Sequence, residues 1–131
     1  NFSTHDYPYY QDFGDMCINS PHATGYIRID WFTPDGLNTW GDGRTFILGT
    51  EGYIEMRKYT DIAGREGGNH LFLVNHKETK YFNCSKVAMP YGQQLVSDVV
   101  NRTETAMTQD HCFLATELAL LAQKKAIKIN S

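Results

Sequence analysis

Residues able to do chemistry are few among these 131 amino acids, and they come in pairs. Arg28 and Asp30 stand two apart, Asp42 and Arg44 flank Gly43, and His5 precedes Asp6. A guanidinium beside a carboxylate orients a polar ligand, or it neutralises a neighbour across strands or on a solvated face, which is the commoner use. An imidazole titrates near neutrality, so His5 is a proton-transfer candidate, although a plain loop position is commoner for such a residue. Asp42, Arg44, Arg28, Asp30 and His5 are the substrate-facing candidates, with Asp42 and Arg44 foremost because they occupy a turn.

Spacing excludes other chemistries. The histidines at 5, 22, 70, 76 and 111 lack the separations of a metal site, and Cys17, Cys84 and Cys112 form no Cys-x-x-Cys pair, so no metal is expected. Scattered, odd-numbered thiols point to a reducing compartment and hence a cytoplasmic protein. His111 and Cys112 are adjacent, but successive helical side chains diverge by about 100°, so they do not act on each other. His111 is expected instead as a hydrogen-bonded core or interface residue. Neither a nucleophile elbow nor a P-loop is present, and the glycines at 41, 43, 49 and 52 open no helix, so the dinucleotide fingerprint fails. A net charge of −3 and a pI near 5.9 give no general attraction to nucleic acid or an anionic membrane. No apolar run approaches the roughly 20 residues of a membrane span.

The elements that must hold these pairs are mostly strands. Alternation predicts strands over 13–19, 25–32, 44–49, 52–59, 70–74 and 79–82, separated by turn formers such as Ser20-Pro21, Asp35-Gly36, Thr50-Glu51 and the residues 75–78. Pro34 followed by Asp35-Gly36 predicts a type I turn over 33–36. In the strand over 52–59, Tyr53, Glu55, Arg57 and Tyr59 alternate with Ile54, Met56 and Lys58, and neither face is cleanly apolar. Such a strand suits an interface, which makes Tyr53, Glu55, Arg57 and Tyr59 the interface candidates. Residues 61–68, glycine-rich and charged, read as a flexible connection. Beyond Met89 the period changes to that of helices, first over 91–101 and then after Thr108, a natural N-cap followed by Asp110, with Lys124 and Lys125 at the far end. The fold class is therefore α+β, in one domain burying about two-thirds of its unfolded surface.

The run GYIRIDWFTPDGL, then WGDGRTFILGTEGYIEMRKYTD, an apolar helix, TQDHCF and LALLAQKKA together resemble the C-terminal domain of the glucose-fructose oxidoreductase and inositol dehydrogenase family of NAD(P)-dependent oxidoreductases. The likeness covers about residues 13–126, with ILGTEGYI its most telling piece. It implies an open, largely antiparallel sheet of five to six strands with helices packed on one face and the other face in a homo-oligomer interface. Hydride transfer between NAD or NADP and a sugar, polyol or related small-molecule substrate is implied in turn. The family's glycine-rich nucleotide motif, its Glu-Lys-Pro segment with the catalytic lysine and its Asp-x-x-x-His pair have no counterpart here, and His5-Asp6 has the wrong order and spacing. No catalytic residue is therefore carried over, and this stretch alone is expected to bind no NAD and to be inactive. The opening at Asn1, without methionine, suggests a piece of a longer protein whose Rossmann domain lies upstream. The rival expectation is a stand-alone, non-catalytic binding or assembly module built on the same sheet.

Overall fold

The computed structural model describes residues 6, 7 and 9–129. They form six strands and two α-helices, in an open α+β architecture. The strands divide between two antiparallel sheets, one of two strands and one of four. The chain groups into two compact units, one comprising Asn1–Trp31 and Ala88–Ser131, the other Phe32–Val87.

In the first unit β1 (Phe13–Asn19) pairs with β2 (Thr24–Asp30), Met16 opposite Ile27 and Asp15 opposite Arg28. Period two then puts Met16, Ile18, Ile27 and Ile29 on one face, and Asp15, Tyr26, Arg28 and Asp30 on the other. The reversal is tied by Ser20, whose hydroxyl accepts from the amide of Ala23 at 3.0 Å while the Ser20 amide donates to the Ala23 carbonyl at 2.8 Å.

The helices of this unit begin and end for identifiable reasons. α1 (Tyr91–Asn101) follows Pro90 and stops at Arg102, which turns left-handed at φ 58° and donates its amide to the Asp98 carbonyl. α2 (Gln109–Lys125) starts at Thr108, whose hydroxyl accepts from the His111 amide at 3.2 Å. Asp110 lies in its first turn, and Lys124 and Lys125 in its last, each complementing the helix dipole. The link between the helices is organised by the Asp98 carboxylate, which accepts from the Thr103 and Thr105 hydroxyls and from the amides of Thr105 and Ala106. Those donors favour the ionised form, so Asp98 is held well below the usual carboxylate range, the Ala106 amide contributing most.

In the second unit β3 (Gly43–Gly49), β4 (Gly52–Lys58), β5 (Asn69–Asn75) and β6 (Thr79–Asn83) form a meander in that order. β3 and β4 are joined by Thr50 and Glu51 alone, with Gly49 opposite Gly52. Gly52 adopts φ +149°, and a Cβ there would stand 2.1 Å from the Val74 carbonyl oxygen and 2.8 Å from the Asn75 Cα. Only glycine fits this crossing of strand ends. At the neighbouring turn, on the same end of the sheet, the Asn75 side chain accepts from the amides of Lys77 and Glu78 at 2.8 and 2.9 Å.

Three expectations are corrected. Pro34 is extended (ψ 145°), so the turn over 33–36 is not type I, and a 3-10 turn forms instead at Asp35–Leu37. Tyr59 leaves the alternation of β4, because its φ of 78° breaks the pleat and its amide donates to the Gly68 carbonyl at 2.8 Å rather than extending a strand. The connection over 61–68 has an internal frame, since the Asp61 carboxylate accepts from the Ala63 amide at 3.0 Å and from Arg65 at 2.6 Å.

Burial departs from expectation most of all. The accessible surface is 11454 Å², roughly half of the ~21,600 Å² of an unfolded chain of 14.9 kDa, instead of two-thirds removed. Among the described residues no hydrophobic side chain is buried; the buried ones are Asp12, Asp61, His70 and Asp98. On α2, Phe113, Leu114 and Leu120 are each more than half exposed, and His111, expected in a core or interface, is exposed too.

Candidate functional site

The four-stranded sheet carries the densest set of chemically capable residues. Its register places Arg44, Arg57, His70 and Asn83 in one row and Phe46, Glu55, Phe72 and Tyr81 in the next, all on one face. The opposite face holds Ile47, Ile54, Met56, Leu71, Leu73 and Phe82, together with Thr45, Lys58 and Lys80, and is mainly apolar. Alternation along β4 therefore separates two surfaces of different character.

Each acid and base in the candidate pairs turns to its own neighbour. Arg44 grips Asp42 through both Nε, at 3.1 Å, and Nη2, a forked contact at the mouth of β3. The hydrogen bond that Arg44 donates to the Asp42 carboxylate is the main reason the Arg44 pKa is raised. Arg57 donates from Nε to Glu55 at 2.7 Å on the sheet face, and its Nη1 is buried with no partner. Arg44 and Arg57 lie directly opposite each other, an arrangement tolerable because each carries its own carboxylate two residues away.

In the other unit Arg28 pairs with Asp30 at 2.6 Å, along the strand rather than across it, with its guanidinium 5.4 Å from the centre of the Phe13 ring. Arg28 with Asp30 and Asp42 with Arg44 thus belong to different units, and the structure joins each pair internally. His5 lies outside the described residues. Of the interface candidates, Tyr53 packs on Phe46 with ring centres 5.0 Å apart, Glu55 and Arg57 pair with each other, and Tyr59 stands beyond the strand.

A second cluster was invisible to pattern reading. His70 is 2% exposed, and its Nε2 faces the Gly67 carbonyl at 3.0 Å, which makes that nitrogen the donor. Nδ1 then accepts from the Tyr81 hydroxyl at 2.8 Å. Arg65 lies over the Tyr81 and Phe72 rings, 4.9 and 5.3 Å from their centres, while pairing with Asp61. Its hydrogen bond is the largest influence lowering the Asp61 pKa. The Asp61-to-Arg65 spacing of four is the only trace of this clamp in the sequence. Every member is engaged with another, so the cluster fastens the 61–68 connection to the sheet and presents no reacting group.

No three histidine, cysteine or acidic side chains gather to hold a metal among the described residues, and no described helix is long and apolar enough to cross a membrane. The residues present do not fit a dinucleotide either. Among the described residues no strand runs through a glycine-rich turn into a helix, and α1 follows Met89-Pro90. The Asp42–Arg44 fork carries both an acceptor and a donor at an exposed turn.

No family model matches the chain, and no curated protein matches it. Among solved structures it is similar to one described as a "putative oxidoreductase" from Erwinia carotovora atroseptica SCRI1043, with 48% identity and a TM-score of 0.92 over 99% of this chain. This chain spans 39% of the length of that one. It therefore shares the fold, and nearly half the residues, of one part of that protein.

Proposed function

We propose that the chain is the substrate-binding and oligomerisation domain of an NAD(P)-dependent oxidoreductase acting on a sugar, polyol or related hydroxy compound, akin to the glucose-fructose oxidoreductase and inositol dehydrogenase family. The observation that carries this is the 48% identity over 99% of the chain to part of a protein described as an oxidoreductase. The larger part of that protein lies outside the match, which leaves room for a nucleotide-binding domain. In this reading the cofactor and the reacting acid–base groups come from other residues of the protein. The Asp42–Arg44 fork orients substrate hydroxyls, and the face bearing Phe46, Tyr53 and Glu55 packs on a second subunit. The exposure of Phe46 at 59% and Leu48 at 73% supports such a covered face.

The test uses the intact polypeptide that carries these residues. Nicotinamide absorbance is followed with NAD and NADP against a panel of sugars, cyclitols and hydroxy acids. Turnover with at least one of them is expected, and neither cofactor being bound or reduced under any condition would sink the redox reading. Sedimentation should show a dimer or larger species; a strict monomer would remove the sheet-face interface.

A further inference from the structure

The dipeptide Asp-Gly occurs twice in the chain, at Asp35-Gly36 in the 3-10 turn and at Asp42-Gly43 where β3 begins. It has a reactivity of its own. The side-chain carboxyl carbon of the aspartate is within reach of the amide nitrogen of the next residue, and a glycine there has no side chain to hinder the approach. In sequence the two steps are equivalent, and their surroundings separate them.

Asp42 is held. Arg44 donates to Oδ1 from Nε at 3.1 Å and to Oδ2 from Nη2, so both carboxylate oxygens are occupied. The amide that would attack belongs to Gly43, fixed in β3 opposite Lys58, and the Lys58 Cβ lies 3.3 Å from where a Cβ would stand on Gly43. Cyclisation at this step would require the fork to open and the strand end to move. Asp35 has no such restraint. It is exposed, and its carboxylate makes no hydrogen bond or ion pair among the described residues. The bonds of its turn run from the amides of Leu37 and Asn38, at 3.0 and 3.2 Å, and leave the Gly36 amide out. Nothing lies within 4 Å of where a Cβ would stand on Gly36, so this turn can rearrange without displacing a neighbour.

We propose that Asp35-Gly36 is a site of spontaneous isoaspartate formation, and that the Arg44 fork protects the chemically identical step at Asp42-Gly43. The Gly36 nitrogen attacks Cγ of Asp35 in its carboxylic acid form; the N–Cγ bond forms, the bond from Cγ to the hydroxyl breaks, and that hydroxyl leaves with the amide proton as water. The five-membered succinimide then takes up one water. Hydrolysis at the main-chain carbonyl leaves the nitrogen on Cγ and gives isoaspartate; hydrolysis at Cγ restores aspartate. The change conserves mass, involves no oxidation or reduction, and needs no ligand, so it stands apart from the redox reading. It lengthens the main chain by one methylene group between Pro34 and Gly36.

The test ages the intact protein for weeks at physiological temperature and pH. Trypsin releases both steps in one peptide, Ile29–Arg44, and electron-transfer fragmentation tells isoaspartate from aspartate at each position. Methylation by an isoaspartyl methyltransferase counts the product independently. Isoaspartate at 35 should accumulate and exceed that at 42 by about tenfold or more, the equivalent of the charge-assisted hydrogen bonds that hold Asp42. In urea the two positions should react alike, which assigns the difference to the fold. Asp35→Glu should remove most of the methyltransferase signal, and Arg44→Ala with a native circular dichroism spectrum should raise position 42 toward the level of 35. Where that variant unfolds, Arg44→Lys, which keeps a cation without the fork, takes its place. No isoaspartate at 35, or equal amounts at both positions in the folded protein, would overturn the site. An unchanged level at 42 in the folded Arg44 variant would overturn the protection.

Discussion

The two units use the same kinds of element and end in different conditions. In the β3–β6 unit, neighbouring strands shield one another, so most of β4 and β5 is half-buried and His70 is sealed. In the unit of the β1–β2 hairpin and the helices, nearly every helical side chain is exposed, and the buried residues are the carboxylates Asp12 and Asp98. A sheet covers part of itself by lateral pairing, whereas a helix needs a second layer to cover its stripe. Among the described residues, caps, turns and polar nodes nevertheless set the local elements of both units without a buried apolar side chain.

That contrast breaks most severely at Gly52. Gly52→Ala forces a Cβ into the backbone of Val74 and Asn75, at a cost of about 3 kcal/mol or more, and should abolish cooperative unfolding of the sheet unit in a urea titration followed by circular dichroism. Full retention of the wild-type midpoint would mean that the strands do not cross so closely. Removing the clamp comes next. His70→Ala leaves the Tyr81 hydroxyl and the Gly67 carbonyl without their partner and opens a void, with an expected loss of about 2–4 kcal/mol. Protease nicking within 61–68 should rise at the same time.

The helical unit should respond to pH. Asp98 has a lower pKa folded than unfolded, so its contribution is complete above the ordinary carboxylate value of about 4 and is lost as pH falls below it toward the depressed folded value. Hydrogen exchange at the Thr105 and Ala106 amides, corrected for intrinsic rates, should accelerate on acidification and be fast at all pH values in Asp98→Ala. Protection independent of both would show that the carboxylate does not hold the link. Smallest is the N-cap of α2, where Thr108→Ala should cost about 1 kcal/mol and fray only the first turn, visible as exchange at His111 and Cys112.

Much of this architecture is legible in the sequence because periodicity and punctuation are local. The first helix is read at 91–101, the Thr108 cap is visible from its chemistry, and the strand over 13–19 follows from its alternation. Tyr59 is misplaced because alternation carries no mark of where a strand loses its partner, and here the Gly68 carbonyl decides it. The His70, Tyr81 and Arg65 clamp escapes notice for a related reason: its bonds join a loop to two strands, and no period encodes that. Type and spacing single out Asp42 and Arg44 as a pair, yet their forked grip on each other is a fact of three-dimensional geometry alone.

The backbone of Tyr59 has a consequence for laboratory evolution. A screen that rewards heat tolerance alone would favour glycine or asparagine at this position, since either relaxes the left-handed conformation while preserving the bond to Gly68. Its most robust survivors would be those stripped of the ring beside Gly41 and Gly43. Alternating that pressure with a selection for activity would show which one the tyrosine serves.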